Sequence, residues 1–175
     1  MRRVDFGYFV RPGAETARGV DRLEPVLGYL VEHPRGAVLL DTGMGSHPYV
    51  EKHYRPRRVS LDAALGAIGK RRDDVTAVVN CHLHVDHCGN NPGLAGRPIF
   101  VQANELAAAR QDENYTLPEL VDAPGLVYEE LSGDGEVAEG ILVLATPDQA
   151  WVRRLVELDP RRVYFAHDHA VWTPG

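Results

Sequence analysis

The chain has 175 residues, a net charge of −6, and 44% hydrophobic and 25% charged residues. This length is enough for a hydrophobic core, and we expect a single domain over residues 1–175. The negative charge argues against a nucleic-acid binder that relies on attraction to phosphates. No apolar stretch is long enough to span a bilayer and the N-terminal residues lack the apolar region of a signal peptide, so we expect a cytoplasmic protein that does not bind membranes.

Apolar runs bounded by turn residues predict six strands along the chain. Helical periodicity between them predicts two helices, Leu61–Ile68 and Asn104–Arg110. The segment Gln111–Val121 lacks a clear period and is predicted to be a loop over the functional site. This alternation of strands and helices favours an α/β sandwich. The predicted strands are Val26–Val31, Ala37–Leu40, Val75–Cys81, Ile99–Gln102, Ile141–Thr146 and Arg162–His167.

The pattern His82-x-His84-x-Asp86-His87 follows the third predicted strand. Imidazole nitrogens and carboxylate oxygens are donors that suit Zn²⁺ and similar divalent ions. A strand that runs into a tight loop can direct all four side chains to one place. The pattern divides into two pairs, His82 with His84 and Asp86 with His87, as two neighbouring metal ions would need. A polar loop that is rich in histidine by chance is the weaker alternative, because a chance match to four given residue types at fixed spacing is rare.

With this motif after a buried strand, the chain resembles the metallo-β-lactamase superfamily of hydrolases. Upstream, Tyr29–Gly43 resembles the family's early hairpin and its Asp-Thr-Gly turn. Downstream, Pro98–Gln102 with Glu105 resembles the strand and helix that follow the motif. The stretch Val121–Leu144 looks like the N-acyl homoserine lactone lactonase branch in particular, and Val163–Asp168 resembles the strand that supplies a last histidine ligand.

The resemblance implies an αββα four-layer sandwich with metal ions at one edge, where the strands end. It implies a zinc-dependent hydrolase with one or two ions, for which Fe, Mn or Co are alternatives. A metal-bound hydroxide then opens a lactone ring of the N-acyl homoserine lactone type, and Asp86 also accepts a proton from the attacking water. The implied metal ligands are His82, His84, Asp86, His87 and His167.

The motif fixes the metal chemistry but leaves the substrate open. Thioester and phosphodiester hydrolases of the same superfamily are therefore alternatives. We expect a small-molecule substrate as the partner, and a homodimer is a candidate assembly.

The family pattern is interrupted between Pro147 and Asp148. In the family, the chain continues there into a Gly-His turn that supplies a third histidine to the first metal, and a later strand carries an aspartate that bridges both metals. Here the next residues resemble the start of the last helix, with Thr146 as its N-cap and Gln149 in a capping box. We therefore expect the second half of the fold to be shortened.

Two ligands then remain for the first metal and three for the second. Either residues of the protein are missing from this sequence, or the deletion is genuine. A genuine deletion favours a third function, that of a catalytically impaired metal-binding module.

Other candidate residues lie near these segments. Asp41 either orients a ligand histidine or is a simple turn residue ahead of Gly43. Cys81 and Cys88 bracket the motif and are interpreted as small buried residues, because a thiolate ligand or a disulfide would be unusual here. If residues 167–169 are extended, His169 points away from His167 and is the weaker candidate ligand.

Overall fold

A computed structural model describes residues 1–145 and 157–173 of the chain. Within these residues the main feature is a mixed sheet of seven strands. Two further ladders have two strands each. The strands are β1 (Arg2–Arg11), β2 (Arg22–His33), β3 (Gly36–Leu40), β4 (Arg57–Arg58), β5 (Val75–Val79), β6 (Pro98–Gln102), β7 (Val127–Leu131), β8 (Gly135–Ala138), β9 (Ile141–Val143), β10 (Val163–Phe165) and β11 (Asp168–Trp172).

The large sheet has the order β4-β1-β2-β3-β5-β6-β7. Its first half is antiparallel, while β3, β5, β6 and β7 run parallel to one another. The carboxyl ends of these parallel strands therefore meet at one edge of the sheet, and the histidine motif begins at that edge, directly after β5. The helices are α1 (Pro48–Tyr54), α2 (Leu61–Ala67), α3 (Val85–Cys88), α4 (Ala103–Gln111) and α5 (Pro118–Val121).

Apolar side chains cover both faces of the central strands. On one face, Leu39, Val78 and Ile99 join a core that includes Leu61 and Leu65 of α2. On the other face, side chains of β3 and β5 pack against the ladder of β8 and β9. Burial on both faces is typical of parallel strands and explains their continuous apolar sequence.

The predicted α/β class is confirmed, and β2, β3, β5 and β6 lie where the apolar runs place them. Three predicted strands end early, since β5 stops at Val79, β9 at Val143 and β10 at Phe165. Strands β1 and β7 were not predicted, because polar residues alternate with apolar ones in β1 and most of β7 is exposed. The predicted loop Gln111–Val121 ends in the short helix α5.

The predicted helix start at Thr146, Pro147 and Gln149 lies outside the described residues. Within the described part of the chain, no helix is long and apolar enough to cross a membrane.

Candidate metal centre

The histidine motif runs from the turn after β5 into α3. His84 stands at the N-cap of α3, and Asp86 and His87 lie on the helix itself. Asp86 is 8% exposed and His87 2% exposed, so both polar side chains are taken out of water. Buried ionisable groups need a partner of opposite charge or a metal ion, which makes this helix the centre of the site.

Three side chains converge in what we call the outer cluster: Asp86, His87 and His167. The Nε2 atoms of His87 and His167 are 3.1 Å apart. Asp86 Oδ2 lies 3.5 Å from each of these nitrogens. His167 reaches the site from the turn between β10 and β11, 80 positions after His87.

The opposite nitrogens of these two histidines have partners of their own. His87 Nδ1 is 2.9 Å from Asp41 Oδ2, and His167 Nδ1 is 2.9 Å from the carbonyl oxygen of Pro25. Both partners can only accept, so both Nδ1 atoms donate and both Nε2 atoms present lone pairs to the centre. Two lone pairs and a carboxylate that face one another repel unless a proton or a cation lies among them. The outer cluster therefore fits a divalent metal ion with nitrogen and oxygen ligands.

The first pair of the motif lies beside this cluster. His82 Nε2 is 3.1 Å from His84 Nδ1, and the ring centroids of His82 and His87 are 3.9 Å apart. Burial, followed by the charges of His87 and His84, lowers the pKa of His82 to about 4. Burial also lowers the pKa of His84. Both histidines are therefore neutral near pH 7, the form in which imidazole binds a metal.

Asp41 holds the motif from the end of β3. Its Oδ1 accepts from the backbone N–H of Cys81 at 2.9 Å, and its Oδ2 accepts from His87. Burial opposes the charged form of Asp41, but His87 and Cys81 outweigh it and hold the pKa of this carboxyl below its usual range. Burial likewise opposes the charged form of His87, but Asp41 raises its pKa. Asp41 thus orients His87 and also closes the turn, where its φ of 58° is left-handed.

The turn that starts at Asp41 is joined to α3 through the backbone. Thr42 N donates to the carbonyl oxygen of His87 at 2.7 Å, and Gly89 N donates to the carbonyl oxygen of Gly43 at 2.9 Å. Asn80 Nδ2 also donates to the carbonyl oxygen of His87, at 3.1 Å. These bonds join the Asp-Thr-Gly turn to the backbone that carries His87.

The two cysteines differ from each other. Cys88 is fully buried, as predicted, with its Sγ 3.3 Å from the carbonyl oxygen of Leu83. Cys81 is exposed, so its interpretation as a buried residue was wrong. Strand β5 ends at Val79, two residues before Cys81, and the Sγ of Cys81 lies 3.0 Å from Asp41 Oδ2. Although the residue as a whole is exposed, burial of its sulfur and the charge of Asp41 raise the pKa of this thiol well above its usual range.

A cavity of about 530 Å³ opens over the metal centre. Its floor is formed by motif residues and His167, and its walls include the segment 113–117, as the predicted loop requires. This volume falls within the range of small-molecule sites, roughly 300–1,000 Å³. The apolar lining residues are Phe9, Met44, Tyr49, Val50, Tyr54, Val85, Tyr115 and Leu117.

Three further histidines are not members of the outer cluster. His47 pairs with Glu119 at 3.0 Å, and His53 pairs with Glu15 at 2.5 Å. His169 is exposed on β11, although the turn at His167 is not extended as the prediction assumed. His169 is not a member of either donor cluster found among the described residues.

A family model described as the metallo-beta-lactamase superfamily matches residues 21–150, well over half of the chain. The chain belongs to the metallo-β-lactamase superfamily. The resemblance inferred from the motif is therefore confirmed, and so is the family's fold.

The curated and solved relatives of this superfamily member include lactonases. The chain is 35% identical over 136 residues to an N-acyl homoserine lactonase of Bacillus thuringiensis, with 70% of this chain and 54% of the relative covered. An N-acyl homoserine lactonase of Bacillus cereus is 33% identical over the same shares. A structure of N-acyl homoserine lactone hydrolase, solved with N-hexanoyl-L-homoserine at its catalytic metal centre, has a TM-score of 0.69 and 29% identity over 83% of this chain and 64% of that one. The chain thus spans about half the length of the curated relatives it matches.

Two supports of the superfamily motif were not predicted as site residues. Glu105 Oε1, at the start of α4, accepts from the backbone N–H of Leu83 at 2.7 Å and from the hydroxyl of Tyr115 at 2.6 Å. The ring of Tyr115 in turn lies 4.7 Å from that of His84. Glu105 therefore links the motif turn to the wall of the cavity. In the sequence, Glu105 is simply an acidic residue at the start of a helix. The helix dipole alone favours an acidic residue there, so the sequence did not indicate a role in the site.

Proposed function

We propose that this protein is a metal-dependent hydrolase that opens the ring of N-acyl homoserine lactones. The observation that carries the proposal is the convergence of Asp86, His87 and His167 at the floor of the cavity. The lactonase relatives support the choice of substrate, because they share about a third of their residues with this chain over the matched region.

The described residues offer a complete set of donors for one ion. Asp86, His87 and His167 would hold it, and His82 with His84 would contribute to a second ion beside it. Zinc is the metal we propose, since imidazole and carboxylate suit it, and Fe, Mn or Co are alternatives. When bound, such an ion activates a water molecule and polarises a carbonyl group.

The side chains of the protein divide the remaining work among themselves. Asp86 Oδ2 points into the cluster, and we assign it the role of accepting the proton of the attacking water. Asp41 and the carbonyl oxygen of Pro25 keep the Nδ1 protons of the two histidines in place, so that both Nε2 atoms stay available. This is the arrangement in which partners of the ligands fix their tautomers.

The walls of the cavity suit the acyl part of the substrate. Phe9, Tyr54 and Val50 form an apolar surface beside the metal centre. Burial of an acyl chain there contributes roughly 25 cal/mol for each Å² of apolar surface removed from water. The only cation of the described lining, Arg11, is paired with Glu24 at 2.8 Å, and the lining also carries the carboxylates of Asp86 and Glu113, so it disfavours anionic substrates and suits an uncharged lactone.

Two histidines of the C-terminal ladder provide a matched test. His167→Ala removes a donor of the outer cluster, whereas His169→Ala removes the same side chain from an exposed position two residues away. We expect the first variant to lose zinc affinity and lactonase turnover at least tenfold and the second to retain both. Calorimetric zinc titration and turnover of N-hexanoyl homoserine lactone measure these effects. Equal behaviour of the two variants would contradict the proposal.

A second candidate function is that of a metal-binding module with impaired catalysis. It is favoured by the donor count, since the clusters among the described residues leave His84 outside any group of three. The intact mass of the purified protein, compared with 19.3 kDa for this sequence, decides whether residues are missing at the Pro147–Asp148 junction. A chain of 19.3 kDa without lactonase turnover would support the module, whereas brisk zinc-dependent turnover by that chain would exclude it.

A further inference from the structure

A second donor cluster lies on the Nδ1 side of His87. We define it as the inner cluster, formed by Cys81, His82 and His87. The Sγ atom of Cys81 is 3.3 Å from His82 Nδ1 and 3.3 Å from His87 Nδ1. One sulfur and two imidazole donors of these residues lie within 4.8 Å of one another.

We propose that the inner cluster is a binding site for a soft, thiophilic metal ion such as Cd²⁺. Thiolate is a soft ligand and imidazole an intermediate one, so this donor set selects soft ions. The outer cluster contributes a carboxylate oxygen in place of the sulfur and is the harder of the two sites. The two clusters therefore differ in the class of metal that each prefers.

Both clusters include His87, which has consequences for their occupancy. Its Nδ1 faces Cys81 and Asp41, while its Nε2 faces Asp86 and His167. A neutral imidazole has one lone pair and one N–H. An ion at the inner cluster takes the lone pair on Nδ1, moves the proton to Nε2 and so removes His87 from the outer cluster. A soft ion should therefore displace the metal that the outer cluster holds.

The surroundings of the thiol allow this binding. Cys81 is exposed as a residue, and the contact of its sulfur with Asp41 is only partly buried. The thiol donates to Asp41 Oδ2 at 3.0 Å, a contact that keeps the proton on sulfur in the metal-free protein, so the incoming ion must displace this proton. A metal ion in contact with a thiol removes that proton outright. The result is a sulfur–metal bond, with one proton passed to solvent.

Cysteine variants test the site directly with Cd²⁺ as the probe. Cys88 is the matched control, because it is buried and its sulfur contacts a backbone carbonyl. We expect wild type and Cys88→Ser to give a near-ultraviolet sulfur-to-cadmium absorption that saturates at one equivalent of Cd²⁺. Cys81→Ser should lack this absorption and bind Cd²⁺ at least tenfold more weakly. An equal absorption in Cys81→Ser, or none in wild type, would overturn the proposal.

A second measurement covers the case that Cys81→Ser does not fold. In folded Cys88→Ser, the remaining thiol is that of Cys81, and Cd²⁺ should protect it from alkylation by iodoacetamide. Unchanged alkylation at saturating Cd²⁺ would overturn the site.

Displacement of the outer-cluster metal by a soft ion is tested with Co²⁺, because the visible absorption of Co²⁺ reports its binding to the outer cluster. One equivalent of Cd²⁺ should bleach the cobalt spectrum of wild type and Cys88→Ser. A sulfur–cadmium absorption that forms while the cobalt spectrum persists would overturn the competition for His87. Failure of Co²⁺ to bind at all would count against the proposed hydrolase, whereas the cadmium titration would still decide the inner cluster.

Discussion

Asp41 is the residue on which the orientation of the outer cluster depends. In Asp41→Asn, one carboxylate oxygen becomes an NH₂ group, which must face either the N–H of Cys81 or the Nδ1–H of His87. Both are donors, so one hydrogen bond is lost or His87 changes tautomer. We expect zinc affinity to fall about 10- to 100-fold, as measured by competition with a chromophoric chelator.

The control for this variant is Glu113→Gln, which removes one negative charge from the wall of the same cavity without touching His87. A general electrostatic effect would weaken zinc binding equally in both variants. That outcome would show that the contact between Asp41 and His87 does not set the metal affinity.

Glu105 supports the motif at a fully buried backbone position. Leu83 is 0% exposed, and its N–H donates to Glu105 Oε1. Glu105→Ala leaves that N–H without its acceptor, which typically costs about 1–3 kcal/mol of unfolding free energy. Urea denaturation of the apoprotein measures the loss. Tyr115→Phe, which removes only the second donor of the same carboxylate, should cost less, and the reverse order would contradict the assignment.

At the scale of elements, the position of α3 depends on two glycines that touch. A Cβ atom built on Gly89 would lie 1.8 Å from the backbone nitrogen of Gly45. The backbone at Gly89 cannot move away without straining a hydrogen bond, because Gly89 N also donates to the carbonyl oxygen of Gly43. Gly89→Ala should therefore lower the unfolding free energy by about 1–3 kcal/mol or more and disturb zinc binding along with it.

A glycine of α2 gives the opposite expectation. A Cβ atom on Gly66 meets nothing within 4 Å, and the residue lies inside a helix. Gly66→Ala should stabilise the protein by about 0.5–1 kcal/mol. Thermal unfolding of Gly89→Ala and Gly66→Ala side by side separates two causes of a stability change. A loss in Gly89→Ala alone would assign it to the close backbone approach, and not to the replacement of glycine by alanine in general.

The sequence predicted elements best where burial is continuous. The apolar runs of β3 and β5 are buried on both faces, so their hydrophobicity alone locates them. In β1, residues such as Val4 and Phe6 alternate with exposed ones, which leaves a weaker local signal. The motif was found because its four residues are close in sequence.

Long-range partners could not be predicted in the same way. Nothing near Pro25 in the sequence indicates that its carbonyl oxygen accepts from His167, because the pairing depends on how the C-terminal ladder meets β2. The exposure of Cys81 was missed for a similar reason. A strand boundary that moves by two residues changes the environment of a side chain completely.

At the scale of the whole molecule, metal binding should appear as stability. An ion that binds only the folded protein stabilises it by about 2.7 kcal/mol at a free concentration of 100 times its Kd. We expect zinc to raise the Tm of wild type and His169→Ala, and a chelator to reverse the shift. His167→Ala should show little shift. An equal increase in all three proteins would indicate that zinc binds elsewhere.

The turn that carries His167 has one more consequence, for the rate at which metal is exchanged. The same turn is joined to β2 by the hydrogen bond from Leu27 N to the carbonyl oxygen of Ala166, at 3.1 Å. An ion shared by α3 and this turn cross-links two parts of the chain that are 80 residues apart. The ladder of β10 and β11 can then separate from β2 only when the ion dissociates from His167. Metal release and deuterium uptake at the Leu27 amide should therefore depend on the same opening of the ladder. A condition that slows one of these rates should slow the other as well.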